Sequence, residues 1–464
     1  AAGVRHLTIT ENRISDFSSP WNVGGIWLDP LAPDAQCEVT YNALFYNDNG
    51  IDVRGASGCL IAHNAILAGS TGIELGAQVT ASGTPLPSSN NVIRANSIQG
   101  VTTVATTLAT VNGTTTTPAV AQAPLDGILV WDGQDNQMTG NHITDFVTLV
   151  YIGEDPAYLN NSASWPSGAM PTYDNSGNAL HENLLARLAA PAASSGISGW
   201  AVANLNNQVS FVVDATNNWW GSGNGPEVAS NTFNVGAQGL PVTDGVLYTP
   251  WLLFAPPLDA AGLLGFSPVV NLSTGLGYPS IGAALSQSLS GAALGLASGV
   301  FSEAVTINQP GLSLSPLPGT ERPTILGPGT AGAATVTIGA SGVSLVGLVV
   351  QNPAAVGTAG QAILVQGSSG SPIADVTLEG LQVLGGETGI LFGPYVDSAT
   401  VSLCAVQHFW SVGISVGDYS LGGQATSATI ADTVVSSPLP SSGGQSGIQV
   451  VNGATATLRN NLVA

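Results

Sequence analysis

Lysine is absent from this chain. All seven basic residues are arginines, set against 28 aspartates and glutamates, for a formal net charge of −21. That balance excludes nucleic acid and anionic lipid as partners, because either needs a basic face to displace its counterions. Charge of both signs is scarce: charged residues fill 8% of the 464 positions, where an ordinary globular domain carries about a quarter. Most positions must therefore be core or tight turn. Cysteine is nearly missing, and Cys37, Cys59 and Cys404 are too few for a disulfide scaffold. No apolar run reaches about 18 residues, and the Ala/Gly/Leu stretch at 282–300 is interrupted by serine and glycine, so no membrane insertion is expected. A surface without lysine offers few sites to trypsin-like proteases, which points to an extracellular or cell-surface location.

Glycine is abundant, with 59 residues, and it recurs in step with asparagine. Thr8-Ile9-Thr10-Glu11-Asn12-Arg13-Ile14 leads to Gly25-Ile26-Trp27-Leu28. Val39-Thr40-Tyr41-Asn42-Ala43-Leu44 leads to Gly50-Ile51-Asp52-Val53, and Leu60-Ile61-Ala62-His63-Asn64-Ala65-Ile66 leads to Gly72-Ile73-Glu74-Leu75. The signature returns at Asn96, Gly127-Ile128, Asn141 and Asn183. Short alternating strands punctuated in this way indicate a parallel β-solenoid. Asparagine tolerates left-handed backbone, and stacked at equivalent turns it forms an internal amide ladder. Later in the chain the Gly-Ile steps persist at Gly389-Ile390, Gly413-Ile414 and Gly447-Ile448, but the asparagine is missing until Asn461.

Two further motifs order the chain. Asn217-Asn218-Trp219-Trp220-Gly221, Gly225-Pro226 and Tyr248-Thr249-Pro250-Trp251 read as a closing segment. Gly277-Tyr278-Pro279-Ser280-Ile281, an Ala/Leu helix, and Gly299 to Ile307 read as an opening one. With the rungs, they resemble the right-handed parallel β-helix, or pectin-lyase-like, superfamily of the bacterial extracellular and surface type. The resemblance implies an all-β chain with two right-handed parallel β-helix domains in tandem. The first spans 1–254 and starts in mid-rung. A linker covers 255–276, and the second domain, 277–464, opens with a short capping helix near 279–290 and stops in mid-rung.

The strand after each Gly-Ile step is the candidate functional face. It would present Trp27, Asp29, Asp52, Arg54, Glu74, Trp131, Asp132, Tyr151 and Glu154. Asp52 and Glu74 fall on successive rungs, about 5 Å apart, a spacing that retaining glycosidases use and that a calcium site also accepts. Arg54 supplies a cation, and Trp27 and Trp131 offer sugar platforms. Insertions at 101–125 and 155–178 interrupt the rungs, the second carrying Tyr158, Trp165 and Tyr173, whose rings suit either glycan binding or pinning of the loop. Against catalysis, the clustered motifs of polygalacturonase-like, lyase and esterase branches are missing. No cofactor is expected apart from calcium at Asp52 and Glu74. Cys37 and Cys59 each lie five residues before a rung asparagine, which stacks them as either a disulfide or a reduced pair.

Cap-like motifs in the middle and repeats at both ends leave Val4, Leu7, Ile9, Leu458, Leu462 and Val463 as expected assembly surfaces. The expectation is an extracellular structural protein, not an enzyme, whose copies stack head to tail or which forms one window of a tandem array. The alternatives are a glycan-binding adhesin and a polysaccharide lyase or hydrolase.

Overall fold

The computed structural model describes residues 6–15, 24–28, 36–79, 85–101, 124–153, 174–187, 199–205, 211–257, 263, 265–418, 426–438 and 444–464. The chain divides into two compact units, 1–228 with 238–266, and 229–237 with 267–464.

In the first unit each turn of chain makes three short strands. The first strands, including Glu38–Thr40, Leu60–Ala62, Val92–Arg94, Gln137–Thr139 and Ala179–His181, pair in parallel in sequence order. The second and third strands form a ten-stranded sheet, within which Ala43–Arg54 and Ala65–Gly76 run through both positions. Parallel neighbours joined by such crossovers wind right-handed. One row of apolar side chains per strand points inward. Val39, Ile61, Ile93, Met138 and Leu180 fill the first row, and Ile26, Ile51, Ile73, Ile128, Val150 and Val202 the third, all buried.

The corner between first and second strands explains the asparagines. Asn12, Asn42, Asn64, Asn96, Asn141, Asn183 and Asn218 stack, each donating its side-chain amide to the Oδ1 of the next at 2.9–3.0 Å. That same Oδ1 accepts the backbone N–H of the preceding asparagine. The residue before each, from Glu11 and Tyr41 through Glu182 and Asn217, sits at φ between 53° and 64°, a conformation the amide bonds hold against its intrinsic cost. A corner bonded rung to rung absorbs no insertion, and none of its turns is lengthened. The extra chain enters instead on either side of the third strand.

The corner after the third strand carries a second column at the same offset of five residues. There Cys37 and Cys59 form a disulfide with Cα atoms 4.5 Å apart. Asn91, Asn136 and Asn178 continue the column, again with 3.0 Å amide bonds, and Asn91 Oδ1 accepts the Cys59 N–H at 2.9 Å. Closing the 22 residues between the cysteines contributes about 3 kcal/mol by restricting the unfolded chain. At the far end Asn218 finishes the first ladder by donating to Leu180 and Ala215 carbonyls. Trp220 and Trp251 are fully buried there, the latter edge-on to Phe266 at 5.7 Å.

The second unit repeats the three-strand turn with three separate parallel sheets. Its helix is Ile281–Gln287, capped by Ser280 and by Glu303, whose carboxylate accepts the Ile281 and Gly282 N–H groups at 2.9 Å. Within the expected linker, Phe266 bridges Trp251, and Val269–Asn271 is a strand pairing antiparallel with Gly277–Tyr278 and Ala293–Leu296. The missing asparagine corner is filled by Leu348, Leu381, Cys404, Thr433 and Asn461, in register. The first three are buried apolar side chains. Polarity then returns stepwise, with Thr433 N–H donating to Asn461 Oδ1 at 3.0 Å. Burial pushes the Cys404 thiol up to about 11.

Of the expected assembly residues, Val4 lies outside the described residues, and Leu7 and Ile9 are half-buried. Leu458, Leu462 and Val463 are exposed beside a cavity of about 470 Å³ that Ile448 and Asn461 also line.

Candidate functional site on the outward face of the first unit

Pleating sends alternate residues of the third strand outward. One outward row reads Trp27, Asp52, Glu74, Leu129, Tyr151, Ala203, and the next reads Arg54, Gly76, Trp131. The structure therefore does bring Trp27, Asp52, Arg54, Glu74 and Trp131 together. It joins them more tightly than a reactive pair of acids permits. Arg54 Nε donates to both Asp52 oxygens at 3.0 and 3.1 Å, and Nη2 donates to Glu74 Oε1 at 2.9 Å. Trp131 Nε1 donates to the same Glu74 oxygen at 2.8 Å. Asp52 is 0% and Glu74 6% exposed.

Gly76 makes this arrangement possible. It lies between Arg54 and Trp131 in the same row, and a Cβ there would stand 2.5 Å from the Trp131 indole. Without that side chain, the guanidinium reaches 5.6 Å from the Trp131 ring centroid, and it also lies 5.2 Å from that of Trp27. Two carboxylates and one cation are thus locked beneath Trp27, which is 44% exposed.

Asp52 and Glu74, the expected weak catalytic candidates or calcium ligands, are thus bonded to Arg54 and, for Glu74, to Trp131. Arg54 balances one of their two charges, and among the described residues no group of three or more His, Cys, Asp or Glu converges on a metal position. Their role is to hold Arg54 and hence the tryptophan platform. Arg54→Met is expected to lower unfolding free energy by about 3 kcal/mol, because it leaves two buried carboxylates without a counter-charge. Adding Asp52→Asn and Glu74→Gln should recover most of that loss in denaturant titrations. A loss below about 0.5 kcal/mol for Arg54→Met would show an exposed ion pair instead.

A different pair of acids stands where the third strand turns away. Asp132 follows Trp131 at φ 64°, and the 42-residue offset that pairs Gln137 with Ala179 brings Asp174 beside it on the next rung. The Asp174 N–H donates to Asp132 Oδ1 at 3.4 Å. The two environments differ. Burial raises Asp132 to about 6, against a lowering by the Asp174 N–H, and the negative charge of Asp174 adds to the rise. Asp174 feels some burial, but the Ser176 hydroxyl and N–H and the Gln134 side chain outweigh it and hold the carboxyl below its ordinary value.

Asp132 was among the residues expected on this face; Asp174 was not. The missed signal is the spacing Asp132…Asn136 and Asp174…Asn178, in which an acid precedes a ladder asparagine by the same four residues. Tyr151 is buried in the outward row. Asp29, Glu154, Tyr158, Trp165 and Tyr173 lie outside the described residues. His142 is held below its ordinary value by burial, partly offset by Asp145.

No protein-family profile and no curated protein sequence matches the chain. Solved structures do. The catalytic domain of Agl-KA aligns over 98% of this chain with 11% identity and a TM-score of 0.25, and the chain spans about half of that domain, 53%. The A-module of the Azotobacter vinelandii mannuronan C-5 epimerase AlgE4 aligns over 98% of this chain and 91% of its own, with 9% identity and a TM-score of 0.26. The PL6 family alginate lyase AlyGC aligns over 99% and 78%, with 10% identity and a TM-score of 0.26. By their descriptions these are a catalytic domain, an epimerase module and a lyase, and the expectation that the chain is not an enzyme is withdrawn. The expected structural role is without support. Among the described residues no helix is long and apolar enough to cross a membrane. The stacked parallel sheets give the chain the fold of a parallel β-helix.

Proposed function

We propose that the chain is a secreted enzyme that cleaves glycosidic bonds in a polysaccharide laid along the outward face of the first unit. Asp132 acts as general acid and Asp174 as the ionised partner. The observation that carries this reading is the pair itself: two carboxyls on successive rungs whose surroundings push their proton affinities apart. Rungs about 5 Å apart give the close spacing of retaining rather than inverting glycosidases, with Asp174 as nucleophile. Trp27, three rungs or about 14 Å along the axis, offers its exposed ring to a sugar face further along the same chain. The Cys37–Cys59 disulfide supports an oxidising compartment.

The test is a reducing-end assay of the purified chain against a panel of polysaccharides, followed across pH. Cleavage with retained anomeric configuration is expected, with activity falling above about pH 6 as Asp132 loses its proton. Inversion would reassign Asp174 to a general base. Binding without cleavage would replace the enzyme by a recognition module, and cleavage that stays level through pH 6 would remove Asp132 from the acid role.

A further inference from the structure

The seven arginines and their surroundings bear on which polysaccharide fits. We infer that the substrate of this face carries no acid groups and that sugars bearing protonated amines bind better than neutral ones. The inference rests on the reading above and concerns the charge of the substrate alone.

Among the described residues the outward rows contain one cation, Arg54, whose Nε donates to Asp52 and whose Nη2 donates to Glu74. Counting those three side chains together, the tryptophan platform sits on a net charge of −1. At the turn, Asp174 adds negative charge, joined by Asp132 once it loses its proton. The remaining described arginines of this unit are placed elsewhere. Arg13 lies over the Phe45 ring at 5.4 Å. Arg94 is exposed on the first sheet. Arg187 donates to the Val147 carbonyl at 2.8 Å, with Asp145 as its neighbouring charge.

A uronic-acid polymer places a carboxylate on every sugar, and its recognition requires guanidinium or ammonium partners. In the described outward rows the one such partner, Arg54, is engaged by Asp52 and Glu74, and the field of a chain at −21 repels a polyanion on approach. An ammonium-bearing glycan meets the opposite situation, because carboxylates attract it and the Trp27 face accepts a cation as readily as a sugar CH face. The one route by which a polyanion would still bind is through divalent cations bridging its carboxylates to those of the protein, so calcium must be varied.

The experiment measures affinity of the full chain for tetrasaccharides of glucosamine, glucose and galacturonate, each in calcium and in chelator, at low and high salt. The expected order is glucosamine tightest, glucose weaker by about tenfold at low salt, and galacturonate without measurable binding in either condition. High salt should erase most of the glucosamine advantage, because at about 1 M salt the Debye length shrinks to about 3 Å and charges further apart are screened. Galacturonate binding as tight as glucose, with or without calcium, overturns the inference while leaving the site as a glycan site. Equal affinity for glucosamine and glucose at low salt overturns the preference for amines. Failure of all three to bind removes the glycan site and this inference with it.

Discussion

Asn96→Ala should cost the first unit about 4 kcal/mol, more than any surface substitution in the chain. Asn96 occupies the middle of the corner ladder at 0% exposure. Its Oδ1 accepts two bonds from Asn64, and its amide donates to Asn141 Oδ1 and to the carbonyls of Ile61 and Arg94. Truncation strands the Asn64 N–H and amide, each at a penalty of about 1–3 kcal/mol, and opens space where water has no path. Asn96→Asp is the sharper control, since it keeps the acceptor and removes the donor while burying a charge. Denaturant unfolding of the first unit would show both losses. An Asn96→Ala variant within about 1 kcal/mol of the parent would mean that ladder bonds are individually replaceable.

The second unit bears on why that corner is polar at all. Its equivalent column runs Leu348, Leu381, Cys404, Thr433, Asn461, so the same backbone turn accepts either chemistry. What it does not accept is a mixture without a transition. Thr433 bridges the two, its hydroxyl facing the Cys404 N–H at 3.4 Å and its own N–H reaching Asn461. Replacing both partners of a buried bond by apolar groups costs little, whereas replacing one costs much. The column is a commitment shared by neighbours rather than a requirement of the fold.

This is also why the fold was legible in the sequence and parts of the site were not. An asparagine that must meet its own kind every rung leaves a period in the sequence, and the Gly-Ile steps mark the strand beside it. The disulfide partners were placed by the same period, since Cys37 and Cys59 stand where Asn91 and Asn136 stand on later rungs. Asp52 and Glu74 were likewise placed correctly on successive rungs. Their chemistry was not legible, because it depends on Trp131, 57 residues after Glu74, reaching over a glycine whose absent side chain looks like any other turn signal. Asp174 was hidden differently. It falls inside what read as the insertion 155–178, and only the pairing of Asn136 with Asn178 returns it to the rung.

Asp132→Asn is expected to lower turnover by about 10³-fold, the usual contribution of a positioned general acid, while making the protein more stable at neutral pH. The sign follows from the direction of the shift. The carboxyl titrates at 3.8 in an ordinary setting and at about 6 in the fold, so between those values the folded chain holds a proton that the unfolded chain has released. Its favourable contribution is complete below pH 3.8 and lost as pH rises through 6. Above pH 6 the fold carries a desolvated carboxylate beside the charge of Asp174. Asparagine keeps the shape and can still accept the Asp174 N–H, but has no charge to desolvate. The gain at pH 7.5 should be about 1–2 kcal/mol, reduced from the full shift because water reaches Asp174 and screens the pair. At pH 4 the gain should vanish, since the parent side chain is then protonated as well. Melting temperatures of both proteins at the two pH values, set beside their turnover, check every part of this. A variant that is inactive and less stable at pH 7.5 would make Asp132 a structural carboxylate. A variant that is more stable and fully active would leave the acid to be found elsewhere on the face. The combination expected here, stability gained as catalysis is lost, is the mark of a group kept in an unfavourable place for its chemistry.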